Sequence, residues 1–223
     1  IQIAPDIEAG EITVQTTVVN RSQTPVSTSL EHQVTTWKGG EEVSQVVAEP
    51  LELKPGEETT RLQKISITNA RLWSPEDPFL YVLTSRTGGD SSNTRFGMRE
   101  FHFDAATKRA YLNGKVYYLR GSNITLHRFF EDPDCQDRPW NDAWVRKLLG
   151  ELPKKMHWNY FRFCIGPVPD HWLDVCDEVG LLVQHEFFVW TGGKGWYDGY
   201  SRSHDPNEMV SQYKDWMRDS WNH

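Results

Sequence analysis

Leu112-Asn113-Gly114-Lys115, followed by Val116-Tyr117-Tyr118-Leu119-Arg120-Gly121-Ser122-Asn123, opens the stretch that decides the fold. The first four residues spell a tight turn, and the next eight read as a strand. A helical pattern follows, then a strand over 158–165, a second helix, and a third strand over 181–186. Strands that alternate with helices imply parallel βαβ units. A closed eight-fold barrel takes ~250 residues, so the stretch from 116 onward has room for about three units. The chain is therefore expected to be part of a longer protein. Ile1 opening directly into a strand-like run, with no signal-peptide pattern, fits an excised or processed segment.

The helices declare themselves by their ends. Asn141 is placed to cap a helix whose apolar positions are Trp144, Val145, Leu148, Leu149, Leu152 and Met156, a single stripe. Pro153 lies inside that pattern and should kink or end it. The second helix carries Trp172, Leu173, Val175, Cys176 and Val179, with Gly180 as the residue just past its end. The third begins at Asp205-Pro206 and should bury Met209, Val210, Tyr213, Trp216, Met217 and Trp221. Between the third strand and this helix lies a long Gly- and Trp-containing connection. In a barrel it would be a loop on the catalytic face.

Residues 1–104 carry a different period. Strand candidates run over 12–19, 30–37, 43–47, 61–67 and 79–84, rich in β-branched residues and separated by turn signals such as Lys54-Pro55-Gly56. Polar residues at alternate positions fit sheets with one wet face. Close-spaced short strands of this kind predict an immunoglobulin-like β-sandwich. The expected fold is thus multidomain, β plus α/β: a sandwich over 1–104, then the N-terminal part of a TIM (β/α)8 barrel over 105–223.

Composition narrows the function classes. The net charge of -7 and the lack of a basic tract argue against nucleic acid as a partner. No apolar run is long enough to span a bilayer. The three cysteines and eight histidines show no ligand spacing, so neither a metal nor a cofactor is expected. Ten tryptophans, most of them after Arg120, are a rich complement, although any single one is more readily read as core packing. Flat apolar rings also stack on sugar C–H faces, which favours a carbohydrate partner.

Four segments then carry a family resemblance. Leu72-Trp73-Ser74-Pro75-Glu76-Asp77-Pro78-Phe79-Leu80-Tyr81 is similar to the LWSPE-x-P-x-LY run of glycoside hydrolase family 2, near the end of its immunoglobulin-like domain. Phe96-Gly97-Met98-Arg99 resembles its FG-x-R segment. Leu112-Asn113-Gly114-Lys115 and Leu119-Arg120-Gly121-Ser122-Asn123 resemble LNGK and LRG-x-N, which open its barrel. Residues 172–181 resemble its FYDLCDELGL segment. The family includes β-galactosidases, β-glucuronidases and β-mannosidases, and the resemblance implies a retaining exo-β-glycosidase. It also implies that the general acid/base Glu follows a fourth barrel strand and the nucleophile a seventh. Neither position falls within this chain, so no catalytic residue is assigned, and the chain alone is expected to be inactive. Asn207-Glu208 spells the dipeptide of the acid/base but follows Asp205-Pro206 in the first turn of a helix, where Glu favours the macrodipole.

Substrate-binding candidates come from the same resemblance. Arg162 sits mid-strand, where the family uses an Arg to orient active-site carboxylates, and where a structural ion pair is the alternative. Glu186 ends the third strand, as functional carboxylates of barrels do. Asn123 and His127 follow the first strand, and Trp190 in the long loop is a candidate sugar platform. The chain departs from the family at Cys164-Ile165-Gly166-Pro167 and at Gln184-His185-Glu186-Phe187, leaving the sugar unassigned. A secreted or periplasmic location is expected, as is either self-association through residues 181–223 or displacement of that region from its barrel position. The rival reading is a non-catalytic carbohydrate-binding or scaffold protein with a degenerate barrel.

Overall fold

The structure, a computed structural model, describes residues 1–164, 166–186 and 206–222. The chain divides into two compact units, one essentially 1–118 and the other 119–221. Residues 105–118, which the change of period assigned to the second half, are gathered with the first.

The first unit is built of ten strands. β1 (Gln2–Asp6), β2 (Glu11–Val19) and β5 (Glu58–Ser66) form an antiparallel sheet in the order β1-β2-β5. β3 (Val26–Thr36), β4 (Val47–Leu53), β6 (Tyr81–Thr87) and β7 (Asp90–Phe96) form a second, in the order β4-β3-β6-β7. Ile3, Ile12, Val14, Ile65 and Ile67 from the first sheet side meet Val34, Tyr81, Leu83, Phe96 and Met98 from the second in one core. Two antiparallel sheets closed over a shared apolar layer make a sandwich.

Two strand expectations need correction. Residues 43–46 are not a strand; the pairing element is β4, which starts at Val47 and contains Pro50. Proline cannot donate to a ladder, and β4 lies at a sheet edge, where that is tolerated. β7, Asp-Ser-Ser-Asn-Thr-Arg-Phe, has almost no apolar signal and pairs with β6 across the Gly88-Gly89 turn.

The family-like motifs of this unit are structural. Trp73 is fully buried, its backbone N–H donates to Met98 O at 2.9 Å, and Arg99 stacks over its ring at 4.7 Å. A Cβ on Gly97 would lie 2.8 Å from Trp73 Cβ, so only glycine lets the two segments touch. Asn20, in one glycosylation-like triplet, is buried with its amide donating to the Thr24, Leu53 and Lys54 carbonyls. That amide is a clamp rather than an attachment point.

β8 (Phe101–Asp104), β9 (Arg109–Leu112) and β10 (Lys115–Val116) form a small antiparallel sheet. Asn113 and Gly114 have φ of 50° and 73°, the two-residue turn that suits a right-twisted hairpin. It folds Val116 back onto Tyr111. The strand expected over 116–123 is therefore broken, and only Gly121–Ile124 joins the parallel sheet.

In the second unit β11 (Gly121–Ile124), β12 (Tyr160–Phe163) and β13 (Leu182–His185) are parallel and lie in chain order. Between β11 and β12 a helical run starts at the Asn141 cap, whose side chain accepts from Trp144 N at 3.0 Å. α1 (Asp142–Arg146) widens into a π-helical segment, Lys147–Glu151, and continues as α2 (Leu152–Lys155). The wide segment just before Pro153 absorbs the hydrogen bond that proline cannot make. α3 (Asp170–Val179) ends at Gly180 in the left-handed region, with its N–H on Cys176 O. α4 (Pro206–Asp219) carries Glu208 in its first turn, away from any strand end. Val145, Leu149, Phe161, Phe163, Trp172 and Val175 form the core between the helices and one face of the sheet.

Candidate functional site on the parallel sheet

The other face of that sheet is polar. Side chains alternate along a strand, and the register sets Asn123 opposite Arg162 and Arg162 opposite Gln184. Tyr160 precedes Arg162 by two residues and Glu186 follows Gln184 by two, so both belong to the same face. Phe161 and Phe163 point the opposite way, into the helix-packed core.

Gly121 makes the first strand pairing possible. A Cβ there would lie 1.6 Å from the Tyr160 carbonyl oxygen, inside any allowed contact. Asn159, buried at the start of β12, accepts from Arg120 N at 2.9 Å and donates its own N–H to Arg120 O at 2.9 Å. Together they fix β11 against β12, and with it the height of Asn123 beside Arg162.

Arg162 and Glu186 are brought together. The guanidinium Nη2 lies 2.8 Å from Glu186 Oε2, with side-chain exposures of 34% and 20%. Arg162 is the third of the four residues of β12, and Glu186 directly follows β13, so the pair marks the C-terminal end of the sheet. The Glu186 N–H donates to Phe163 O at 3.2 Å and holds the backbone after β13 against β12. Asn123 is exposed one strand away. His127 is half-buried in a 3-10 turn, Leu126–Phe129, after β11. Trp190 lies outside the described residues.

Two members of this face escaped sequence reasoning. The Tyr160 hydroxyl donates to Gln184 Oε1, bridging β12 and β13 one layer below the ion pair. Burial raises the Tyr160 pKa and the nearby Arg162 charge opposes that rise, so the phenol stays a neutral donor. The signal was available: both residues stand two positions before a named candidate. His185, by contrast, faces away from the ion pair. Its Nε2 accepts from Val168 N at 3.0 Å, and its ring meets Phe163 and, at 4.8 Å, Trp216 of α4.

Chemically, this face offers a fixed cation, a carboxylate, an amide and a phenol at a sheet mouth. Such a set can hold the hydroxyls of a polar ligand. Retaining glycoside hydrolysis takes two carboxyls about 5–5.5 Å apart; among the described residues this face contributes one, Glu186. Among the described residues no group of His, Cys, Asp or Glu is disposed to hold a metal ion, and no helix is long and apolar enough to cross a membrane.

Known proteins place this geometry in context. The chain is 27% identical over 172 residues to a putative β-glucuronidase of Formosa agariphila, covering 72% of this chain and 15% of that protein. It is 28% identical over 207 residues to a β-galactosidase of Bacteroides ovatus, covering 88% of this chain and 23% of that protein. It thus spans less than a quarter of the length of either relative. Among solved structures, the β-glucuronidase of Bacteroides uniformis superposes with a TM-score of 0.74 at 24% identity, over 100% of this chain and 26% of that one. A β-galacturonidase of Eisenbergiella tayi, solved with galacturonate, superposes with a TM-score of 0.66 at 24% identity, over 82% of this chain and 31% of that one. The family model for glycosyl hydrolases family 2 matches residues 1–99. The family 2 model thus falls on the sandwich strands of the first unit, and the relatives that run along most of the chain are a β-glucuronidase and a β-galactosidase.

Proposed function

We propose that this chain is the central segment of a retaining exo-β-glycosidase that removes terminal sugars from oligo- or polysaccharides. In this reading the first unit is the family's immunoglobulin-like sandwich. The second is the first three βα units of a (β/α)8 barrel, whose inner face is the polar face of β11, β12 and β13. The observation that carries the reading is the Arg162–Glu186 pair at the C-terminal end of parallel strands, where barrel enzymes build their sites. Arg162, with Asn123, Glu186, His127 and Trp190, binds and orients the sugar. The two reacting carboxyls are supplied from outside the chain, so the 223 residues alone bind without turning over.

The same reading accounts for α4. Val210, Tyr213 and Met217, at i, i+3 and i+7, are exposed along one stripe, the pattern of a helix that packs on a neighbour. β13 is an edge strand of its sheet, with a ladder side open to pairing. In the isolated chain these features drive self-association through residues 181–223.

The test is turnover of a panel of nitrophenyl β-glycosides, including the glucuronide, galactoside, galacturonide and mannoside, by the full-length parent. Hydrolysis of at least one with retention of anomeric configuration is the expected result. A parent inert toward all of them, yet folded and able to bind sugar, contradicts the reading and favours a non-catalytic carbohydrate-binding role.

A further inference from the structure

Within the first unit, the sandwich opens at one end. A groove of about 590 Å3 lies between its two sheets, bounded by β2, β3 and the β6–β7 hairpin. Its volume is in the ~300–1,000 Å3 range of ligand sites. What distinguishes it is a change in the inward-facing register. Along β2 the inward residues run Ile12, Val14, then Thr16; along β6, Tyr81, Leu83, then Ser85 and Thr87; along β7, Phe96 gives way to Ser92. The core side chains are large and apolar. The groove lining mixes hydroxyls, among them Thr16, Ser85, Thr87 and Ser92, with aliphatic side chains. A sandwich that only needed to close would keep filling this layer.

Two hydroxyls of the groove lining, Thr16 and Ser85, are held from behind by a buried histidine. His32 is buried on β3, with Thr16 Oγ1 at 3.2 Å from its Nε2 and Ser85 Oγ at 2.8 Å from its Nδ1. Burial lowers the His32 pKa, favouring the neutral ring. A neutral imidazole donates at one nitrogen and accepts at the other. One hydroxyl must therefore accept from His32, which leaves its own O–H to donate elsewhere. Both oxygens retain acceptor capacity, and both residues line the groove. Val18 and Leu30 add apolar wall. Arg21, Arg86 and Asp90 add charges of both signs to the lining.

We propose that this groove is a second ligand site, separate from the parallel-sheet face, and that it takes a neutral polyhydroxylated ligand of saccharide type. Sugar hydroxyls meet the Thr16 and Ser85 hydroxyls, which His32 orients from behind, and a C–H face of the ring meets Val18 and Leu30.

The test is protein-observed NMR of the isotope-labelled 223-residue chain, titrated with cellotriose and xylotriose, with glycerol at equal hydroxyl concentration as control. Saturable shifts at residues 16–22 and 85–92 with at least one trisaccharide are expected. They should be lost in Thr87→Leu/Ser92→Leu, which fills the mouth without removing the His32 hydrogen bonds, and kept in Arg162→Met. If the double variant does not fold, Ser92→Leu alone, at an exposed position, should weaken binding several-fold. Shifts absent at tens of millimolar, unchanged by filling the mouth, or matched by glycerol would overturn the proposal.

Discussion

The guanidinium of Arg162 lies 2.8 Å from the carboxylate of Glu186, and the two come from adjacent parallel strands, 24 positions apart in sequence. The pair is only partly exposed, at 34% and 20%, so each partner is held in place while remaining open to a ligand. Surface pairs of this kind contribute about 0–1 kcal/mol to stability. In the parent enzyme, Arg162→Met and Glu186→Gln should each lower kcat/KM at least about tenfold, equivalent to ~1.4 kcal/mol of transition-state binding. Thermal unfolding should move by no more than a few degrees. Variants with wild-type kcat/KM would reduce the pair to a structural ion pair.

Gly121→Ala should disrupt the second unit selectively. Its Cβ would fall 1.6 Å from the Tyr160 carbonyl oxygen, a backbone atom that cannot yield without parting β11 from β12. The expected cost is ~3 kcal/mol or more, the upper end of overpacking losses. Amide exchange should rise across β11 and β12 while the sandwich strands keep their protection. Unchanged protection in β11 would contradict the register.

His32 gives the sandwich an acid-sensitive core. Burial lowers its folded-state pKa, with the charge of the chain's amino terminus adding to the effect. The unfolded chain, with a histidine pKa of ~6.5, then binds the proton more readily than the folded one, so stability rises with pH in that window. Stability should be fully present above about pH 6.5 and fall below it, by at most ~1.4 kcal/mol per pH unit, until the folded-state pKa is passed. Urea unfolding of the sandwich between pH 7.5 and 5 checks this. His32→Gln should flatten that part of the profile; a profile that stays as steep would show that other groups cause it.

The exposed stripe on α4 predicts concentration-dependent association of the isolated chain. Light scattering should show growing mass with concentration, and Tyr213→Lys/Met217→Lys should reduce it without changing the sandwich. A strictly monomeric chain at high concentration would contradict the role given to residues 181–223.

Much of this architecture was legible because single residues enforced it. Asn141 caps α1 and Gly180 ends α3 in the left-handed region, both by local chemistry that sequence displays. Arg162 and Glu186 were visible from the family resemblance and because charged residues are costly in or beside short parallel strands. What sequence hid was set by tertiary neighbours. β7 is a strand because β6 pairs with it, not because Asp-Ser-Ser-Asn favours one. β4 tolerates Pro50 because it lies at an edge. Residues 116–123 looked like one strand, yet the Asn113-Gly114 turn takes Val116 into a hairpin. Tyr160 and Gln184 were missed because their value lies in the face they share with Arg162.

The most direct measurement is a crystal structure of the full-length parent with a cleaved sugar such as glucuronate or galactose bound. The account predicts the sugar at the C-terminal end of β11, β12 and β13, with a ring hydroxyl or carboxylate within ~3.2 Å of Arg162 or Glu186. Two carboxyls from outside residues 1–223 should flank its anomeric carbon. A sugar held at a catalytic centre that neither Arg162 nor Glu186 approaches would contradict it.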